Sequence, residues 1–307
     1  MSTTVRVPAS TSNLGAGFDC VGVAVDRWLT VSATLAAPGT GVQITRGGTL
    51  AAVAMDPTDD LIWQGVRAAC AAAGREAPRD VQLTAQSEIP VGCGLGSSAA
   101  AIVAGAAVAT ALLELPLDRH AIATVCTALE GHPDNIVPAV FGGATLSVVR
   151  PEVPLVIAPL DVHPGLAFAF AIPDFPLATK VSRAALPATV PHATAVAAAA
   201  RAAALVRGLA TADGELLVAA LDDVLHVPYR RGLVRGFDAV ACAATRAGAF
   251  GATLSGAGAG MVAIAPAAVA AQVAESMGAA WRAEGVTPLT FQSAKPASGY
   301  VVQGAVP

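Results

Sequence analysis

The chain has 307 residues, of which 54% are hydrophobic and only 13% are charged. It is therefore long enough for two domains or one large one, and its composition excludes a disordered protein. A net charge of −4 without a basic block argues against nucleic acid as a partner. The five cysteines are scattered without C-x-x-C spacing, which indicates reduced thiols rather than disulfides or zinc. The N-terminus has no apolar signal core, so we expect a cytoplasmic protein without a membrane partner.

The N-terminal region predicts two strands around a polar segment. Residues 4–7 and 21–35 have strand-like patterns, and residues 42–45 are expected to be the hairpin partner of the second strand. The segment between the first two strands, residues 8–19, is rich in glycine and short polar side chains and predicts an irregular loop. An ordinary turn and a functional loop fit this local pattern equally well. A helix is predicted over residues 59–73, where apolar residues share one face.

The most distinctive stretch is Ile89–Leu113, which follows a predicted strand over residues 81–87. Its head carries glycines at alternate positions, which allow a tight turn and a close approach to a ligand. A helix is expected to begin at Ser97 and Ser98. Because a helix start offers free N–H groups and a positive dipole end, it favours an anion such as phosphate.

Other interpretations of Ile89–Leu113 remain open at this level. Its lack of charge fits a membrane span, although the glycines, prolines and serines of its first third argue against one. A buried helix after a structural glycine turn is equally compatible with the spacing. The glycines do not fit G-x-G-x-x-G, and no GK[ST] tripeptide follows, so neither a Rossmann loop nor a Walker loop is predicted.

A second polar cluster follows a helix predicted over residues 117–129. Four functional side chains occur within Glu130–Asn135, broken by glycine and proline, which indicates a site rather than a continuing helix. In the alternative interpretation, Asp134 only caps the next helix. A strand is predicted over residues 144–149, and the proline-rich segment 151–164 is expected to be a domain junction.

The second half alternates predicted strands and helices, as in an α+β fold. Thr179 and Arg183 are four residues apart and would share a helix face. Arg230 and Arg231 are either solvated surface or, in a chain with few basic residues, clamps for a carboxylate or phosphate. The remaining predicted helices span 193–209, 215–221, 237–247 and 267–284, and the predicted strands span 166–172, 249–254, 261–265 and 289–292.

Several segments together resemble a known family. PASTSNLGAGFD (8–19), IPVGCGLGSSAA (89–100) and TLSGAGAG (253–260) are similar, in order and spacing, to the three motifs of the GHMP small-molecule kinases. EGHPDN (130–135) with its following Phe-Gly-Gly, TKVSR (179–183) and VPYRRGLVRG (227–236) resemble the branch of that superfamily whose substrate is L-homoserine. The resemblance covers nearly the whole chain.

The resemblance implies a two-domain α+β GHMP kinase fold with ATP bound between the domains. Residues 1–153 would form an N-terminal nucleotide-binding domain like ribosomal protein S5 domain 2. Residues 154–307 would form a ferredoxin-like C-terminal domain. The implied reaction transfers a phosphoryl group from ATP to L-homoserine in threonine biosynthesis, and a homodimer is also suggested. Alternatives are a GHMP kinase for another small alcohol, such as mevalonate, or a catalytically inactive binding protein with this fold.

The same resemblance assigns roles to individual residues. Asp19 would hold the substrate ammonium, Arg183 and Arg230 its carboxylate, and the amides of Asn13 and Asn135 would lie near the reacting hydroxyl. Asn13, Asn135 and Arg183 are thus implied as the catalytic group. By sequence position Asp134 is the nearest candidate for a general base, but a capping or structural role and a mechanism without a protein base stay open as alternatives. The substrate pocket would comprise Asn13, Asp19, His132, Asn135, Thr179, Arg183 and Arg230. Ser98 and Glu130 would hold Mg²⁺, a pairing of oxygen ligands that suits this ion. The ATP phosphate loop would comprise Pro90, Val91, Gly92, Cys93, Gly94, Leu95, Gly96, Ser97, Ser98, Ala99 and Ala100.

Overall fold

A computed structural model describes residues 2–150 and 153–306. The strands are β1 (Ser2–Asn13), β2 (Gly17–Leu35), β3 (Val42–Gly48), β4 (Val81–Ser87), β5 (Ala144–Val148), β6 (Val156–Leu160), β7 (Leu166–Ile172), β8 (Gly251–Leu254), β9 (Met261–Pro266), β10 (Leu289–Ser293) and β11 (Val301–Val306). The α-helices are α1 (Leu61–Ala72), α2 (Ser97–Leu112), α3 (Arg119–Glu130), α4 (Ile136–Phe141), α5 (Thr179–Ala184), α6 (His192–Thr211), α7 (Gly214–Leu221), α8 (Val227–Arg230), α9 (Phe237–Arg246) and α10 (Ala270–Ala283).

The first sheet has seven strands in the order β11-β1-β2-β4-β3, with β5 paired to β2 and β6 paired to β5. The predicted hairpin between β2 and β3 is wrong, because β4 lies between these strands and β3 runs parallel to β4. The physical reason is the helix α1, which lies between β3 and β4 in the sequence. A crossover through a helix joins parallel strands, whereas a hairpin joins antiparallel ones.

The predicted loop over residues 8–19 is also largely wrong, because β1 continues as a strand to Asn13. Only residues 14–16 separate it from β2. Ser10, Thr11 and Ser12 are fully buried in this strand. All three hydroxyl groups find partners across the fold, as described below, so the polar composition here did not require a solvated loop.

The uncharged run that contains α2 is a core helix of 16 residues rather than a membrane span. It crosses α1 closely at two glycines. A Cβ on Gly65 would lie 2.2 Å from the Ile102 carbonyl oxygen, and one on Gly105 would lie 1.9 Å from the Ile62 carbonyl oxygen. Among the described helices, α6 has the length and apolar composition of a membrane-crossing helix, which is weak evidence on its own.

The second sheet is antiparallel, with strand order β10-β7-β9-β8. Its central strand β7 is buried on both faces. The alanines at 167, 169 and 171 belong to the core beneath α9 and α10. The larger alternate residues, such as Phe168 and Phe170, belong to the core shared with the first sheet. Because successive side chains of a strand point to opposite faces, β7 contributes to both hydrophobic cores and so connects them.

Two strands from beyond residue 153 extend the first sheet. β6 lies inside the segment expected to be a junction and pairs with β5, while β11 pairs with the edge of β1. Pro151 and Glu152, at the start of that segment, lie outside the described residues. The division of the chain at 153/154 stays a prediction.

Candidate active site

The segment between β4 and α2 has the geometry of an anion-binding loop. Its three alternate glycines, Gly92, Gly94 and Gly96, have φ angles of +69°, +77° and +63°. Gly96 is the N-cap of α2 and offers no side chain to the helix start. The first amide to donate within the helix is that of Ala100, to the Gly96 carbonyl. The N–H groups before it are therefore available to an anion at the positive end of the helix dipole.

This loop is held by the two other glycine-containing segments singled out in the sequence. The Ser255 hydroxyl donates to the Gly94 carbonyl at 2.6 Å, and the Gly260 amide donates to the Cys93 carbonyl at 3.2 Å. From the first sheet, the Ser10 amide donates to the Leu95 carbonyl at 3.1 Å. Segments from the start, middle and end of the chain thus meet at the loop between β4 and α2. They bind its carbonyl oxygens, so its N–H groups remain available to an anion.

An oxygen pair lies at the first turn of α2. The Ser98 hydroxyl donates to Glu130 Oε1 at 2.5 Å, with Glu130 placed there by the end of α3. Burial raises the pKa of Glu130, and the hydrogen bond from Ser98 opposes that shift. A hydroxyl and a carboxylate side by side are hard oxygen donors, the set that Mg²⁺ prefers when it also carries water and phosphate oxygens. The donor set fits the expected ion.

His132, Asp134 and Asn135 occupy the turn between α3 and α4. His132 Nδ1 donates to Asp134 Oδ1 at 2.7 Å, and Asp134 is buried. The amide of Asn135 is held at both ends, by the Ser10 hydroxyl at 2.9 Å and the Ser12 hydroxyl at 2.9 Å. Burial alone would lower the pKa of His132, but the hydrogen bond and charge of Asp134 raise it overall. The turn is therefore a fixed polar cluster rather than only a helix cap.

Asn13 and Asp19 flank the turn between β1 and β2, both with left-handed backbone. The Asn13 amide group donates to the Gly256 carbonyl and accepts from the Asp19 N–H, both at 2.9 Å. Asp19 forms a two-point ion pair with Arg183, at 2.7 and 3.1 Å. The groups predicted to hold opposite ends of a substrate thus pair with each other. Both are about one-third exposed, so the pair is accessible to a ligand.

Arg230 is a buried arginine that lies beside the Asp19–Arg183 pair. Its side chain is 1% exposed, which excludes the solvated alternative. Its Nε donates to the Ser182 carbonyl at 3.2 Å, and its guanidinium lies 5.1 Å from the ring centre of Phe18. Arg183 lies 5.9 Å from the same ring. Burial, followed by the nearby charge of Arg183, lowers the pKa of Arg230.

One cleft joins these groups. All of the predicted pocket residues line it, including Thr179 at the start of α5, and so do Ser98 and Glu130. Of the predicted phosphate loop, Val91, Gly92, Gly94, Gly96, Ser97 and Ser98 line the cleft. Leu95, Ala99 and Ala100 are fully buried in the core, Cys93 is also buried, and neither they nor Pro90 line it.

The cleft also contains residues that sequence reasoning missed. An apolar end is formed by Leu50, Val53, Met55 and Leu61. Beside it lies an ion pair in which Arg46 donates to Asp60 at 2.6 Å. Phe18 and His226, which stack at 4.9 Å beneath the arginines, were missed as well. The apolar residues have no regular spacing that would have revealed them. Asp223, three residues before His226, has the spacing of a helix cap, and this signal could have indicated the start of a helix near His226.

Comparison with known families defines the class of protein. The model described as "GHMP kinases N terminal domain" matches residues 60–143, and the one described as "GHMP kinases C terminal" matches residues 198–283. The first region contains α2 and Glu130, and the second contains most of α6 and the helices from α7 to α10. The chain is therefore a kinase of the GHMP type, with ATP as phosphate donor.

Individual relatives show to which branch of the GHMP kinases the chain belongs. A homoserine kinase of Gloeobacter violaceus is 42% identical over 290 residues, covering 90% of this chain and 92% of the relative. One of Picosynechococcus is 40% identical, covering 92% and 93%. The crystal structure of homoserine kinase from Cytophaga hutchinsonii aligns with a TM-score of 0.87 at 29% identity, covering 98% of this chain and 97% of that one. The chain belongs to the homoserine kinases within the GHMP kinase family.

Proposed function

We propose that the protein transfers the γ-phosphoryl group of ATP to the side-chain hydroxyl of L-homoserine, giving O-phospho-L-homoserine for threonine biosynthesis. The observation that carries this proposal is the charge pattern at one end of the cleft. Arg183 and Arg230 lie near the ring of Phe18, the Asp19 carboxylate pairs with Arg183, and all three charged groups line the cleft. Two guanidinium groups and one carboxylate suit a ligand that has its own carboxylate and ammonium.

The substrate roles follow from that pattern. The Asp19–Arg183 pair can open so that each group binds the opposite charge on the amino acid, while Arg230 adds a second donor to the carboxylate. Asn13 and Asn135, whose amides are held by the protein, set the wall of the pocket beside the reacting hydroxyl. His132 and Thr179 complete that wall. Phosphoryl transfer then depends on positioning and charge neutralisation rather than on a covalent intermediate with the protein.

The nucleotide would occupy the other part of the cleft. The free amides at the start of α2 suit the ATP phosphates, and the apolar end near Leu50, Val53 and Met55 suits the adenine ring. Ser98 and Glu130 would hold Mg²⁺, which supplies charge neutralisation for the phosphates when bound. Asp134, hydrogen-bonded to His132, is the carboxylate available for a general-base role. A cytoplasmic location and a homodimer stay predictions.

A substrate panel tests the proposed function directly. Purified protein is assayed with Mg²⁺-ATP and L-homoserine, mevalonate, galactose or shikimate. We expect L-homoserine to give the highest kcat/KM, because it alone in the panel carries both charges that the arginines and Asp19 can bind. Faster turnover of another member would overturn the substrate assignment and favour a GHMP kinase for a different alcohol. Failure to bind Mg²⁺-ATP in calorimetry would instead favour an inactive binding protein.

Replacing Arg183 by alanine tests the carboxylate site. We expect the KM for L-homoserine to rise about tenfold to a hundredfold, the usual cost of losing a hydrogen bond to a charged group. The KM for ATP should change little. Lys180→Ala, an exposed change on the same helix, is the matched control and should leave both constants near those of the wild type. An unchanged KM for L-homoserine in Arg183→Ala would show that this arginine does not bind the substrate.

A further inference from the structure

A buried histidine, His226, lies directly behind Arg230. It immediately precedes α8, is fully buried and stacks on Phe18 with ring centres 4.9 Å apart. Its two ring nitrogens face different partners. Nε2 lies 3.0 Å from the Gly15 carbonyl oxygen, and Nδ1 lies 3.3 Å from Nη1 of Arg230.

These two partners determine the tautomer of His226. A carbonyl oxygen only accepts a hydrogen bond, so Nε2 must carry the proton that it donates to Gly15. An arginine nitrogen only donates, so Nδ1 must be unprotonated and accept from Arg230. Both contacts therefore require the same neutral form of the ring. An imidazolium would direct a proton at a group that cannot accept it.

The charged groups around the ring are consistent with that neutral form. Burial lowers the pKa of His226; Asp223 and Asp19 act in the opposite direction, and Arg230 adds to the lowering. Asp223 Oδ2 lies 3.8 Å from Nε2, but it accepts from the backbone amides of His226 and Val227 at 2.7 and 2.8 Å. Its charge is thus satisfied by the start of α8, and the net effect leaves the ring unprotonated near neutral pH.

The consequence is a fixed guanidinium. Nε of Arg230 is held by the Ser182 carbonyl and Nη1 by His226, which sets the plane of the group. Within residues 2–150 and 153–306, Nη2 donates to no protein acceptor, and the side chain lines the cleft. We propose that His226, as the neutral Nε2–H tautomer, is a positioning residue that orients Arg230 toward the carboxylate of the amino-acid substrate. The inference rests on the proposed function, which gives Arg230 that carboxylate.

Two substitutions separate the two hydrogen bonds of the ring. His226→Asn places an amide oxygen near the position of Nδ1 and can still accept from Arg230. His226→Gln places its amide near the position of Nε2 and can donate to Gly15, without an acceptor at Nδ1. Both variants lose the stacking on Phe18, so they form a matched pair. For His226→Gln we expect the KM for L-homoserine to rise about tenfold, with kcat and the KM for ATP within about threefold of wild type. His226→Asn should largely restore the KM for L-homoserine.

A truncated substrate makes the role specific. 3-Amino-1-propanol keeps the ammonium and hydroxyl of L-homoserine but lacks the carboxylate. If His226 acts through Arg230 on that carboxylate, His226→Gln should lower kcat/KM for L-homoserine but not for 3-amino-1-propanol. An equal loss with both substrates would mean a general structural role and would overturn the proposal. Equal constants for His226→Asn and His226→Gln would also overturn it.

A spectroscopic measurement on the wild-type protein does not depend on turnover. The ¹⁵N chemical shifts of His226, assigned by its loss in His226→Asn or by selective labelling, should show a protonated Nε2 and an unprotonated Nδ1 at pH 7.5. An imidazolium or the opposite tautomer would overturn the proposal. Absence of L-homoserine turnover by the wild type would instead refute the proposed function, so the two failures are distinguishable.

Discussion

Replacing Glu130 by glutamine is expected to lower kcat by about a hundredfold to a thousandfold, the range found when one stabilising group is removed from a charged transition state. Glutamine matches the size of Glu130 and can keep the hydrogen bond to Ser98, but it lacks the negative charge that would hold Mg²⁺. The Mg²⁺ concentration needed for half-maximal rate should rise in the same variant. Steady-state kinetics with Mg²⁺ titrated at saturating ATP and L-homoserine measures both effects.

The burial of Glu130 and its neutral hydrogen-bond partner explain why Glu130→Gln should still fold. Its pKa is raised chiefly by burial, so the protein stabilises the charged carboxylate less well than water does. Removing that charge does not leave an unpaired partner, because the group that contacts it is the neutral hydroxyl of Ser98. Glu284→Gln, an exposed change at the end of α10, is the control for replacing a carboxylate by an amide. A Glu130→Gln enzyme with unaltered kcat and Mg²⁺ dependence would show that the carboxylate is not a metal ligand.

Ser98 and Glu130 also show how far local patterns reach. The glycine spacing and the Ser-Ser pair predict the start of α2 at Ser97, and the structure begins the helix there. The cluster of functional residues after a predicted helix points to Glu130, and that helix does end at Glu130. The distance of 2.5 Å between their oxygens depends on the tertiary structure, which brings α2 and the end of α3 together. The family resemblance implied the pairing, but neither local pattern contains it.

Other parts of the fold depend on partners that are distant in sequence. The polar residues Ser10 and Thr11 read as a loop, yet they are buried in β1 because Asn135 and Ser255 satisfy their hydroxyls. The partner of β3 could not be read from its own residues, since parallel pairing depends on the crossover through α1. The burial of Arg230 depends on Phe18, Ser182 and His226 meeting in space. Composition alone favours neither the buried nor the solvated arginine.

Replacing Gly94 by alanine is expected to have the other large effect, a rise of at least a hundredfold in the KM for ATP or loss of measurable activity. At φ +77° an L side chain is strained by about 1–2 kcal/mol. In addition, a Cβ there would lie 2.1 Å from the Ser255 carbonyl oxygen and 3.1 Å from that of Gly258. Both obstacles are backbone atoms, so the phosphate loop and the 255–258 turn must move apart.

Gly74→Ala separates the strain from the displacement. Gly74 has a similar φ of +67°, but a Cβ there meets nothing within 4 Å. We expect this control to lower Tm by a few degrees, at roughly 2–4 °C per kcal/mol, and to leave the KM for ATP unchanged. Gly94→Ala should be destabilised by the same backbone strain. It should also lose the hydrogen bond from the Ser255 hydroxyl to the Gly94 carbonyl, which holds the loop.

Thermal unfolding and ATP titration of the two variants decide between the mechanisms. If Gly94→Ala weakens ATP binding while Gly74→Ala does not, close contact between the phosphate loop and the third glycine segment is required to keep the α2 amides in place. If both variants lose a few degrees of Tm and keep the wild-type affinity for ATP, glycine at position 94 serves only backbone conformation. The approach to Ser255 would then have no role in nucleotide binding.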